Sequence, residues 1–164
     1  MFNGAINAFS GEAGFGKNPY TEEKEQFSKI ARAIKAKGEG WVAVGDNNYG
    51  EGSSREHAAM SPRLLGCRAV ITRSFARIHE TNLKKQGVLP LTFVNESDYE
   101  LIEEGDKIDL VGLKDLAPGS RVKAVVTHAD GSTVEIELKH SLNNEQLVWF
   151  RNGSALNTIR AKAS

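Results

Sequence analysis

Trp41-Val42-Ala43-Val44-Gly45-Asp46-Asn47-Asn48-Tyr49-Gly50-Glu51-Gly52-Ser53-Ser54-Arg55-Glu56-His57 holds the transition that decides the fold. A short apolar run ending in Gly and Asp predicts a buried strand that feeds a loop. The loop is rich in Gly and Asn, and two serines stand where a helix over about 55–65 is expected to begin. Pro62 is tolerated there only as a kink or boundary. The pattern recurs downstream: a strand over 69–72, a helix over 75–86 stopped by Gly87, and a strand over 91–94. Strand–loop–helix repetition of this kind predicts an α/β core with parallel strands.

The flanks differ in character. Residues 1–20 have weak periodicity and read as irregular structure with a short helical turn. Thr21 is expected to open a helix, with its hydroxyl as N-cap and Glu22 and Glu23 in the first turn, where the macrodipole favours acids. Phe27, Ile30, Ala31 and Ile34 follow at helical spacing, and Gly38 ends it. Beyond the α/β core, residues 107–111, 121–128 and 133–139 read as strands. Asp130-Gly131 between the last two is a hairpin signal. A final helix from Asn144 carries Leu147, Trp149 and Phe150 and is expected to break near Gly153. Residues 1–164 thus form one domain: a parallel strand–helix core with an antiparallel β elaboration.

Composition narrows the partners. The 164 residues carry 21 basic and 21 acidic side chains, so no net field recruits polyanions, which argues against nucleic acid as the partner. No apolar run approaches the roughly 20 residues that cross a bilayer, so no membrane partner is expected. The N-terminus lacks the basic and apolar regions of a secretory signal. The single cysteine, Cys67, cannot make an internal disulfide or a cysteine-ligated metal site by itself, and no metal ligand set is expected in this chain. It reads as a small buried hydrophobe.

The chemistry concentrates in 45–57. Gly50 and Gly52 let a ligand approach the main chain closely. The first amides of the following helix attract an anion, and Arg55 offers a planar fork suited to a carboxylate. The local pattern has two readings: Ser53-Ser54-Arg55-Glu56 is also a capping box. It is neither a Walker loop nor a nucleophile elbow, because the required Lys and Gly positions are missing.

Gly50-Glu51-Gly52-Ser53-Ser54-Arg55-Glu56-His57-Ala58-Ala59 resembles the motif of the mobile C-terminal domain of the aconitase superfamily, which includes isopropylmalate and homoaconitate hydratases. Ser74-Phe75-Ala76-Arg77-Ile78-His79-Glu80-Thr81-Asn82-Leu83-Lys84-Lys85-Gln86-Gly87-Val88-Leu89-Pro90-Leu91 and Trp149-Phe150-Arg151-Asn152-Gly153-Ser154-Ala155-Leu156-Asn157 are similar to the mitochondrial-type branch. The resemblance implies a swivelling β/β/α domain and a hydro-lyase that isomerises citrate and isocitrate through cis-aconitate. It implies a 4Fe-4S cluster held by three cysteines of other domains, with those cluster-bearing domains (or a large subunit) as partner. Carried over by position, Ser53 is the catalytic base, and Ser53, Ser54 and Arg55 contact substrate. Glu51 and His57 are weaker supporting candidates, Glu51 (with Asp46) orienting Arg55.

The remaining candidates have plainer readings. His57 and His79 are expected to fix local structure by hydrogen bonding. Arg73, Arg77, Lys84 and Lys85 are expected on a solvated helix face or in interdomain salt bridges. Cys67 stands where mitochondrial-type relatives tend to have Gly. Asn3-Gly4-Ala5-Ile6-Asn7-Ala8 already matches the family, so the chain reads as a domain of a longer enzyme or a separate small subunit, inactive alone. The expected location is a bacterial cytoplasm or the mitochondrial matrix. The alternative reading is the small subunit of 3-isopropylmalate dehydratase.

Overall fold

The computed structural model describes residues 15–18, 20–21, 23–45, 66–102, 106–111, 116–128 and 130–152. Among these residues eight strands run in chain order: β1 Phe15–Lys17, β2 Lys24–Gln26, β3 Trp41–Gly45, β4 Cys67–Thr72, β5 Leu89–Phe93, β6 Lys107–Val111, β7 Arg121–Thr127 and β8 Thr133–Lys139. The described residues also form three α-helices, α1 Phe27–Ala36, α2 Arg77–Lys85 and α3 Asn144–Asn152, with a 3-10 helix at Glu96–Leu101. Six strands form one mixed sheet in the order β3-β4-β5-β8-β7-β6, while β1 and β2 form an antiparallel pair. β3, β4 and β5 are parallel; β8, β7 and β6 continue the sheet by antiparallel pairing. The expected mixed α/β class is therefore borne out.

The larger core lies on one face of the sheet. Ala69, Ile71, Leu89, Leu91 and Phe93 of the parallel half join Val122, Ala124, Val126, Ile136 and Leu138 of the antiparallel half. Leu147 and Phe150 bring α3 into the same cluster. On the other face a smaller cluster joins Cys67, Val70 and Val88 to Leu83 of α2. Cys67 is buried, as expected, but a bulge puts it there. Trp41 pairs with Cys67 and Val42 with Ala69, so Arg68 is the extra residue and the alternation of faces slips by one. Its thiol donates weakly to the Ala69 carbonyl at 3.4 Å.

Two helices end alike. Gly38 and Gly87 take φ of 76° and 77°. Gly38 N–H donates to the Lys35 carbonyl and Glu39 N–H to the Ile34 carbonyl. Gly87 N–H donates to the Lys84 carbonyl and Val88 N–H to the Leu83 carbonyl. Both are Schellman closures that satisfy the last helical carbonyls, and both stops were expected.

One boundary is corrected. Thr21 does not open a helix: its Oγ1 accepts from Glu23 N–H at 3.3 Å in a local turn, and Lys24–Gln26 pairs with Phe15–Lys17. The helix begins at Phe27, the first of the periodic apolar residues. A hydroxyl followed by acids serves a turn as well as a cap, and strand pairing decided between them. The antiparallel half matches expectation closely, including the turn after β7. There Asp130 Oδ1 accepts from Ser132 N–H and Oγ, and Gly131 adopts φ 88°.

Candidate functional site

The expected site residues Glu51, Ser53, Ser54, Arg55 and His57 lie outside the described residues, as do Asp46 and the expected helix over 55–65. The scaffold that delivers them is described. Residues 46–65 connect the C-terminal end of β3 to the N-terminal end of β4, two neighbouring parallel strands. Gly45 pairs with Thr72, so the chain leaves β3 beside the point where it leaves β4, about 4.8 Å away. In open α/β sheets the carboxyl ends of parallel strands are where ligands bind, because loops and helix starts gather there.

At that edge, Thr72 is fully buried and its Oγ1 meets no hydrogen-bond partner among the described residues. Arg73 follows. Its guanidinium stacks over the Tyr99 ring, 4.6 Å from the centroid, and pairs with Glu100 at 3.6 Å. Tyr99 is held in turn by an edge-to-face contact with buried Phe93, centroids 6.2 Å apart. Asn95 Oδ1 accepts from Ser97 N–H and Oγ and so fixes the start of the 3-10 helix that carries Tyr99. Arg73 is therefore not on a solvated helix face, the first of the two settings expected for it. Its place just past a strand end was legible; the aromatic platform was not, because Tyr99 sits in a 3-10 helix with no strong periodicity.

A second polar group ties α2 to the segment after β8. Lys84 is only 7% exposed, again unlike a solvated helix face. Its ammonium donates to Ser141 Oγ at 2.8 Å and the Ser141 carbonyl at 3.3 Å, and pairs with Glu80 at 3.2 Å. Ser141 Oγ also donates to Glu80. Arg77 and Lys85 remain exposed, as expected. His140 is fixed in one tautomer, because Nδ1 accepts from Leu142 N–H at 3.0 Å; Nε2 then carries the proton toward Ser120 Oγ at 3.3 Å. Burial, then the nearby Lys84 charge, push its pKa below the usual histidine value. His79 is buried in the first turn of α2, and desolvation lowers its pKa as well, in keeping with a structural role. A pocket of about 160 Å³ between Phe75, Glu80, Pro90, Thr92, Lys139, His140 and Ser141 lies beside this group. With His140 occupied at both nitrogens and Glu80 held by Lys84 and Ser141, these side chains fix structure rather than offer a base or nucleophile.

Among the described residues no group of three or more His, Cys, Asp or Glu could hold a metal. Cys67, the chain's one cysteine, is fully buried among apolar side chains, so no iron–sulfur cluster fits on it.

The fold and this edge define a class: a mixed α/β domain whose parallel half sends a glycine-, serine- and arginine-bearing connection from the C-terminal end of an edge strand. Residues 3–96 match the family model of the aconitase C-terminal domain. The chain is 59% identical over 160 residues to "Aconitate hydratase, mitochondrial" of Gracilaria gracilis, covering 98% of this chain and 20% of that protein. It is 54% identical to "Probable aconitate hydratase, mitochondrial" of Caenorhabditis elegans, over 98% of this chain and 21% of that protein. The structure of 3-isopropylmalate dehydratase from Methanocaldococcus jannaschii superposes with a TM-score of 0.56 and 25% identity, covering 74% of this chain and 64% of that one. The chain spans about a fifth of the length of the curated relatives it matches. It belongs to the aconitase C-terminal domain family.

Proposed function

We propose that this chain supplies the base and the carboxylate ligands for the reversible isomerisation of citrate and isocitrate through cis-aconitate. The observation that carries the reading is the Gly50–Ala59 motif, which leaves the C-terminal end of β3 in a chain 59% identical to a mitochondrial aconitate hydratase. Ser53 takes the proton from the substrate carbon, the adjacent carbon–oxygen bond breaks, and the hydroxyl leaves as water on receiving a second proton from an acidic group of the cluster-bearing domains. Readdition of water across the double bond in the opposite sense completes the isomerisation. Ser54 donates a hydrogen bond to substrate, and the planar fork of Arg55 grips one carboxylate at two points.

A serine hydroxyl is a very weak base, so the site must stabilise its alkoxide. Neighbouring amides, the Arg55 charge and exclusion of water supply that stabilisation. The 4Fe-4S cluster, when bound, supplies a Lewis acid and is held by cysteines of other domains of a longer enzyme or by a large subunit. Residues 1–164 act as one domain of that assembly, without nucleic acid or membrane, in the mitochondrial matrix or a bacterial cytoplasm. Alone they turn over nothing.

The likeness to 3-isopropylmalate dehydratase supports a second reading, as the small subunit of such an enzyme in leucine biosynthesis. The 59% identity favours aconitate hydratase over the 25% likeness. Reconstitution with a cluster-bearing partner, assayed with citrate and with 2-isopropylmalate, separates them. Turnover of citrate alone is expected. Turnover of 2-isopropylmalate alone, or of either substrate by the chain without a partner, contradicts the proposal.

A further inference from the structure

We infer that His140 is an acid-released latch: as a neutral ring it ties the end of β8 to the approach to α3, and on protonation it lets go of Leu142 and frees that joint. The joint is short. β8 ends at Lys139 and α3 begins at Asn144, so residues 140–143 carry the whole turn between them. His140 Nδ1 accepts from Leu142 N–H at 3.0 Å, and the proton on Nε2 faces Ser120 Oγ at 3.3 Å. Ser120 Oγ also accepts from Ala117 N–H at 3.1 Å, so one ring joins the end of β8, the turn before β7 and the start of the joint. Leu142 itself is only 3% exposed. α3 is capped from within: Asn143 Oδ1 accepts from Gln146 N–H, and Gln146 Oε1 accepts from Asn143 N–H. The helix and its cap thus hang together on the far side of the joint.

Only the neutral ring makes this set of bonds. A second proton must sit on Nδ1, where it meets the Leu142 N–H across a gap that suits a donor and an acceptor but not two donors. The Leu142 amide, beside a buried side chain, then loses its partner, and an orphaned buried amide is costly. Among the described residues the charged groups around the ring are Glu80 and Lys84 of α2, Lys139 of β8, Arg121 beside Lys139 on β7, and Arg151 of α3, which donates to the Leu116 carbonyl. Four cations against one carboxylate oppose an imidazolium where the ring now lies. Desolvation and the Lys84 charge hold the His140 pKa below the usual histidine value, with the Ala117 backbone opposing them in part. The charged ring has somewhere to go. The cavity of about 160 Å³ lined by His140, Ser141 and Glu80 lies beside it, and the Glu80 carboxylate on its wall is the partner that an imidazolium lacks in the latched position. Lys84 holds both Ser141 and Glu80, so a ring that turns toward Glu80 also loosens the tie of the joint to α2.

Amide hydrogen exchange of the 164-residue chain, followed residue by residue by NMR between pH 8 and pH 5 and normalised for intrinsic exchange, tests the latch. Leu142 N–H bonds to the ring and Leu147 N–H to the Asn143 carbonyl, so both report on the joint. Their protection is expected to fall about tenfold or more as the His140 ring titrates, while Ile136 and Leu138 of β8 keep theirs. His140→Asn puts an acceptor oxygen where Nδ1 stands and does not titrate, so Leu142 stays protected across the range. His140→Gln keeps a donor toward Ser120 but offers Leu142 no acceptor, so protection there is low at every pH. Nitrogen shifts of the His140 ring in the unaltered chain test the same point without a substitution: the Nε2–H tautomer is expected above the midpoint, and the midpoint coincides with the loss of protection. Protection at Leu142 that stays level while the ring titrates overturns the inference. So does a fall shared equally by Ile136 and Leu138, which marks a global loss of stability, an Nδ1–H tautomer, or a pH dependence that survives in His140→Asn.

Discussion

Lys84→Met isolates the polar tie between α2 and the segment after β8. Lys84 is 7% exposed and bridges Glu80 and Ser141, so methionine keeps much of the stem's volume and removes three contacts of the ammonium. Breaking a fully buried pair by removing one partner costs about 3–5 kcal/mol. The Glu80 side chain is 26% exposed and regains some hydration, which lowers the expectation to about 2–3 kcal/mol. For a domain of this size each kcal/mol moves Tm by about 2–4 °C, so a drop of about 4–12 °C is expected. Thermal unfolding followed by circular dichroism reads it. Lys84→Met combined with Glu80→Gln should lose less than the sum of the single changes, because the second substitution removes the carboxylate left unpaired by the first. A Tm within about 1 °C of the parent, or strict additivity, refutes the account of Lys84 as a buried tie.

Two further outcomes follow from the same geometry. His79 and His140 both have folded-state pKa values below the ordinary 6.5, through burial and, for His140, the Lys84 charge as well. The unfolded chain then binds protons more readily, so their contribution to stability is complete above pH 6.5 and is lost as pH falls from there toward the folded values. Urea unfolding between pH 8 and pH 5 should show this slope, and His140→Gln should reduce it; stability that rises on acidification across this range contradicts the assignment. Arg55→Lys in the assembled enzyme should weaken substrate binding about tenfold or more, since an ammonium loses the two-point grip, and unchanged affinity by calorimetry removes Arg55 from that role.

Periodicity made the framework of the fold legible. Arg121–Thr127 and Thr133–Lys139 alternate apolar and polar residues around Asp130-Gly131, and one face meets the core while the other meets water. Apolar runs flanked by glycine marked β3, β4 and β5, and Gly38 and Gly87 marked two helix ends. What escaped was structure without a hydrophobic period. Lys24-Glu25-Gln26 is a strand only because Phe15–Lys17 lies beside it, and the 3-10 helix at Glu96–Leu101 is held by Asn95 and by Tyr99 meeting Phe93. The bulge at Arg68 likewise depends on its neighbour strand. The candidate site divides in the same way. The motif around Ser53 is a string of residue types that reads directly. The roles of Arg73 and Lys84 depend on Tyr99 and Ser141, 26 and 57 positions away in the chain.

Whether Ser53 is the base is decided most directly by single-turnover kinetics of Ser53→Ala in the cluster-loaded, assembled enzyme, with citrate binding measured separately. Loss of turnover by about a thousandfold or more, with affinity for citrate changed by less than about threefold, is the result predicted for a group that acts in the transition state. Turnover near that of the parent enzyme, or a change confined to affinity, contradicts the assignment of Ser53 as the residue that moves the proton.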